Sequence, residues 1–205
     1  MPELAFSISD AAPALRFAIQ IDSSAPVRSI LLDAQVQIAA RRRGYDPGAR
    51  ERLFELFGPA ADWGTTLRTL LWTRCTLVVP GFSGSTTVEL PVACSYDLEV
   101  AASAYLDALG EGEVPLEFLF SGSVFADRPG GGLEVTRLAW DHEAEYRMPV
   151  AVWRETMERF FRGTAWLRVR KDAFDRLAAY RARHALGSWE ETLDALLPAV
   201  QEVGS

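Results

Sequence analysis

Apolar and polar residues alternate along most of the first two-thirds of the chain. Over residues 14–21, Leu15, Phe17, Ile19 and Ile21 fall on one side and Arg16, Ala18 and Gln20 on the other, the period of a strand with one buried face. Over residues 29–40 the alternation is cleaner, with Ile30, Leu32, Ala34, Val36 and Ile38 set against Asp33, Gln35 and Gln37. The intervening Asp22-Ser23-Ser24-Ala25-Pro26 has turn chemistry, so an antiparallel hairpin is predicted. A second hairpin is predicted from residues 70–79 and 86–92 around Pro80-Gly81-Phe82-Ser83-Gly84-Ser85, with Cys75, Leu77 and Val79 sharing a face. Residues 114–125 read as a further strand, with Phe118, Phe120 and Val124 on one side. After the Gly130-Gly131-Gly132 turn another runs from Leu133 to about Trp140 and on toward Tyr146.

Helical spacing appears in fewer places. Asp46 can cap a helix that Pro47 opens and Gly58-Pro59 ends, with Leu53, Phe54 and Phe57 on its apolar side. Residues 96–100 alternate as a short strand and run into an Ala-rich helix that Gly110 stops. After Met148-Pro149 the period becomes helical, and Val150, Trp153, Met157, Phe160 and Phe161 form one stripe. An extended piece over residues 165–169 separates this helix from a second, whose buried stripe is Phe174, Leu177 and Ala178. Ser188 and Glu191 stand at capping-box spacing before a last helix with Leu193, Leu196 and Leu197 inside. The fold class is α+β: an antiparallel sheet or sandwich with C-terminal helices packed on it. One domain is expected over residues 1–205, mainly β over 1–147 and mainly helical over 148–205.

Composition narrows the function classes. The 205 residues are 49% hydrophobic, enough for a packed core. The formal net charge of -7 argues against nucleic acid, whose phosphates call for clustered cations. No apolar run approaches a bilayer span, and residues 1–10 lack a basic signal-like start, so a cytoplasmic protein without membrane insertion is expected. Two cysteines, Cys75 and Cys94, fit a reducing compartment better than a disulfide framework. Of the 21 basic residues one is Lys, and Asn is absent, a skew that reads as codon choice in a GC-rich genome.

Candidate chemistry is sparse. Asp141-His142-Glu143 holds two acids and one of two histidines, but neighbours on a strand point to opposite faces and do not converge on an ion. No C-x-x-C or H-E-x-x-H occurs, so neither a metal nor a cofactor is expected, and no catalytic residue stands out. Phe120-Ser121-Gly122-Ser123-Val124 lacks the first glycine of a nucleophile elbow. Asp141, His142 and Glu143 therefore remain only as an acidic-site candidate. The aromatic load near turns is the larger signal. Trp63, Trp72, Phe82, Trp140, Trp153 and Trp166, with the basic run Arg41, Arg42 and Arg43, are the candidate partner-binding residues, because aromatic and Arg anchors dominate interfaces. Sealing helices onto a sheet is the competing use of the same tryptophans.

Several strings taken together carry a resemblance: Arg41-Arg42-Arg43-Gly44-Tyr45, Leu53-Phe54-Glu55-Leu56-Phe57-Gly58, Val79-Pro80-Gly81-Phe82, Ser95-Tyr96-Asp97-Leu98-Glu99-Val100, Phe120-Ser121-Gly122 and Pro149-Val150-Ala151-Val152-Trp153-Arg154-Glu155. Through them the chain resembles, over nearly its whole length, a bacterial domain-of-unknown-function family of cytoplasmic proteins. The resemblance implies an accessory or maturation role, because members are often encoded near uptake nickel–iron hydrogenase genes. It brings no site residues with it. In architecture the chain is also similar to SecB-like export chaperones, which bind extended apolar segments. The leading expectation is a non-enzymatic interaction or assembly factor, with hydrogenase subunits or maturation factors as partners and an oligomer left open. The alternatives are a SecB-like chaperone, and a small-molecule-binding protein or hydrolase using the carboxylates around Asp141.

Overall fold

A computed structural model of the chain describes residues 5–8, 13–94, 100–139, 141–163 and 169–197. It is an α+β structure whose six described strands form one antiparallel sheet. In chain order these are β1 (Ala5–Ile8), β2 (Ala14–Ile38), β3 (Leu70–Ala93), β4 (Glu113–Asp127), β5 (Leu133–Arg137) and β6 (Glu143–Pro149). The helices are α1 (Pro47–Arg52), α2 (Phe54–Phe57), α3 (Trp63–Thr66), α4 (Val100–Ala108), α5 (Val150–Phe161), α6 (Lys171–Arg183) and α7 (Trp189–Leu196). The chain divides into two compact units, Met1–Thr164 and Ala165–Ser205.

The two predicted hairpins are in fact two very long strands. β2 runs unbroken through Asp22–Pro26 and β3 through Pro80–Ser85, and they pair with each other over almost their full length. The turn-forming residues face one another across the ribbon, Ser23 opposite Gly84 and Val27 opposite Phe82, so that residues 24–26 stand against Ser83 alone. Extra residues on one strand bend it and re-aim its side chains. That is why the buried set changes from Leu15, Phe17 and Ile19 to Ile30, Leu32, Ala34, Val36 and Ile38. Gly81 is required here, because a Cβ would lie 2.8 Å from the Arg28 carbonyl oxygen.

Past the bend the ribbon lies over its own sheet. The Phe17 ring sits 5.1 Å from Phe118, 5.8 Å from Tyr146 and 6.5 Å from Trp72, all beyond the bend or on strands paired there. Cys75 Sγ donates to the Pro91 carbonyl at 3.2 Å, although 16 residues separate them on one strand. Sheet and sandwich are thus both realised: one hydrogen-bonded sheet folded into two facing layers around a common core. Burying a side chain such as Phe17 in it stabilises the fold by about 1.5–3 kcal/mol.

β4 carries the other layer. It pairs with β2 along residues 116–125, with β6 near its start and with β5 near its end. The strand predicted to run from Leu133 toward Tyr146 is therefore broken. Leu138 donates to the Gly122 carbonyl at 3.0 Å and Phe120 donates to the His142 carbonyl at 2.9 Å, with β5 ending at Arg137 and β6 starting at Glu143.

The helix predicted from Asp46 to Gly58 forms as α1 and α2, with Asp46 accepting from the Ala49 N–H at 2.8 Å. Leu53 and Phe57 are buried as expected, but Phe54 faces out. Trp153 on α5 donates to Asp107 on α4 at 2.8 Å and meets Trp72 edge-on at 6.1 Å, which fixes α4 and α5 to the core. In the second unit Ser188 caps α7 as predicted, accepting from Glu191 N at 3.0 Å. The two stripes expected to be buried there are not. Phe174, Leu193, Leu196 and Leu197 are exposed, Leu177 and Ala178 are half-buried, and α6 and α7 are joined by Phe174 on Trp189 at 5.3 Å and by Arg181 over Trp189 at 4.8 Å. A pair of helices this short has too little apolar surface to cover both faces. The expected pieces at residues 96–99 and 165–168 lie outside the described residues.

Candidate functional site

The bend that folds the ribbon leaves an unfilled space beside it. A cavity of about 390 Å³ lies between the first half of β2 and the layer carried by β4. Its walls are apolar: Ile19 and Ile21 before the bend, Val27, Ile30 and Leu32 after it, and Phe120 and Val124 on β4. Phe82 of β3 and Leu138, at the break between β5 and β6, close two sides. The mouth is polar, with Gln20, Asp22 and Ser23 on one lip and His142 and Glu143 on the other. Each wall follows from alternation along its strand, and the second lip is set by the Phe120 N–H donating to the His142 carbonyl.

On the lips, the side-chain amide of Gln20 donates to Asp22 Oδ1 and to Ser85 Oγ, each at 3.3 Å. Asp22, His142 and Glu143 are exposed to water. A wider hollow of about 450 Å³ lies elsewhere, lined by Asp33, Gln35, Arg74 and Thr76 with Leu119 and Phe120. Its polar groups satisfy one another, Thr76 donating to Asp33 at 2.5 Å and Arg74 to Gln35 at 3.2 Å, so it offers less to a ligand. Apolar walls with a few polar groups at the mouth are the usual form of a small-molecule pocket.

The candidate residues fall into three groups. Phe82, His142 and Glu143 come together at the cavity. Trp63, Trp72 and Trp153 are 9%, 3% and 1% exposed, in the core instead of on a surface. Trp63 donates to the Gly58 carbonyl at 3.0 Å and packs edge-on against Tyr45 at 5.1 Å, so these rings seal helices onto the sheet. Trp140 and Trp166 lie outside the described residues.

The arginine run and the remaining acids are held by the fold. Arg41 donates to the Leu67 carbonyl. Arg42 reaches Glu145 at 2.5 Å and Glu117 at 3.2 Å, and these carboxylates raise its already high pKa, the Glu145 hydrogen bond first. Arg43 donates to the Glu111 carbonyl at 3.1 Å and lies over Tyr45. Tyr45 in turn shares a 2.7 Å hydrogen bond with Tyr105, and burial drives both phenols above their ordinary pKa. Asp141 is exposed and does not line the cavity, so Asp141, His142 and Glu143 do not converge as a unit. Among the described residues no group of three or more His, Cys, Asp or Glu is placed to hold a metal ion, and no helix is long and apolar enough to cross a membrane.

Sequence reasoning missed the cavity itself. Alternation marks Ile19, Ile30 and Val124 as inward, but nothing in it says that the two halves of β2 face each other. Asp22 and Ser23 looked like turn residues when they form a lip.

A model of a family of unknown function (DUF6084) matches residues 1–205. No match was found among the curated proteins or among the solved structures.

Proposed function

We propose that this chain, which belongs to the DUF6084 family, is a non-enzymatic binding and assembly factor that holds an apolar guest in the cavity at the bend of the β2–β3 ribbon. The apolar walls of that cavity, open to water at a polar mouth, carry the reading. A half-open space of this size lined by Ile, Val, Leu and Phe has the form that small-molecule sites take. The carboxylates support binding over hydrolysis. Of the carboxylates around Asp141, Glu145 is engaged by Arg42 and Asp141 stands outside the cavity, which leaves only Glu143 of that group at the site. A bounded space of about 390 Å³ also suits a single compact guest better than the long apolar segment a SecB-like chaperone takes.

The genomic setting that the resemblance implies makes a nickel–iron hydrogenase complex the assembly to test first. The reading is checked with the neutral fluorophore N-phenyl-1-naphthylamine, whose emission rises in apolar surroundings. It binds the intact protein and binds Val124→Phe more weakly, because the larger ring intrudes on the space while circular dichroism stays native. Binding that is absent from the intact protein, or unchanged in a folded Val124→Phe, refutes the proposal.

A further inference from the structure

We infer that the guest is a small molecule with an apolar body and a protonated amine at its head; this rests on the cavity being the binding site. The walls fix the body. They supply no polar side chain below the mouth, and the volume of about 390 Å³ lies in the range of about 300–1,000 Å³ that small ligands occupy.

The mouth fixes the head. Its two lips each present a carboxylate, Asp22 from β2 and Glu143 from β6, and among the described residues no Lys or Arg lines the cavity. Two of the nearby cations are held by acids of their own. Arg28 is paired with Asp127 at 3.2 Å, and Arg42 is held by Glu145 and Glu117, with Glu143 adding to the field that it feels. A guest whose tail fills the apolar space places its head between the lips, where an ammonium gains from both carboxylates and a carboxylate is repelled by both. Attraction to two carboxylates against repulsion by both is expected to give a preference of about tenfold or more.

The test is displacement of N-phenyl-1-naphthylamine by n-hexylamine, n-hexanol and hexanoate, which share one alkyl chain and differ in head charge. It is run at pH 8 and at low salt. Hexylamine is expected to displace at about one-tenth the concentration of hexanoate or less, with hexanol between them. In the double variant Asp22→Asn/Glu143→Gln, the charged ligands are expected to converge on hexanol, whose own affinity stays unchanged. Equal displacement by hexylamine and hexanoate, a preference for hexanoate, or a preference that survives in the double variant overturns the assignment while leaving the cavity reading intact. If the fluorophore itself does not bind, the cavity reading falls and this inference falls with it.

Discussion

Substituting Gly122 by Ala tests the layered architecture and the cavity together. Gly122 lies on β4 opposite Leu32, its φ is 145°, and a Cβ there would sit 2.0 Å from the Leu31 carbonyl oxygen and 3.1 Å from the Leu31 carbonyl carbon. No flexible side chain can yield, because the obstacles are backbone atoms of the paired strand. An L residue in so sparsely populated a region costs about 1–3 kcal/mol. Forcing β2 and β4 apart also weakens the adjoining ladder hydrogen bonds, at about 1 kcal/mol each. The expected loss is about 3–5 kcal/mol, a large share of the roughly 5–15 kcal/mol by which proteins are folded at all. Gly131 is the control, with φ of 99° and nothing within 4 Å of a Cβ, so Gly131→Ala feels the backbone strain without the collision. Urea unfolding followed by tryptophan emission, with the denaturant slope unchanged between variants, measures both. Phe120 and Val124 flank Gly122 and both line the cavity, so fluorophore binding should weaken in Gly122→Ala and not in Gly131→Ala. If Gly122→Ala loses no more stability than Gly131→Ala, the close approach of β2 and β4 is refuted, and with it the wall that this approach positions.

Two further outcomes follow from burial of titratable groups. Asp107 stays exposed to water, but partial desolvation raises its pKa above the ordinary value, opposed by the Trp153 hydrogen bond and by Arg154. The folded state therefore binds that proton more tightly than the unfolded chain, and stability falls as pH rises from the ordinary carboxylate range through the folded pKa. Asp107→Asn should gain on the intact protein across that window, and urea midpoints that stay parallel from pH 3.5 to pH 7 would contradict it. The two thiols should also separate. Cys94 is fully buried and its pKa is pushed up to about 12, whereas Cys75 is half-buried and raised less. At pH 8 a thiol reagent should modify Cys75 first and Cys94 only on unfolding, because the thiolate is the reactive form; equal rates in the native protein would count against this core placement.

What the sequence made legible is what depends on neighbours along the chain. The inward residues of every long strand, the Asp46 and Ser188 caps and the Trp153 stripe of α5 are local patterns, and each is found where alternation or helical spacing puts it. The errors share one physical origin. Asp22–Pro26 and Pro80–Ser85 carry turn residues because the ribbon bends there, and a bend with an extra-residue bulge needs the same small, permissive residues as a reversal. Only cross-strand pairing, Ser23 with Gly84 and Val27 with Phe82, separates the two, and pairing at that distance leaves no trace in the local pattern. The same holds for the tryptophans. Size and amphipathic character suit Trp72 equally for a partner's surface and for the space between β3 and α5, and the fold alone decides between them. The cavity is the sharpest case, since its walls come from five separate stretches that meet only because the ribbon doubles back. A site made by a bend depends on the bend. Changes that straighten the ribbon, at Gly81 where a Cβ meets the Arg28 carbonyl, should therefore abolish binding without touching a lining residue.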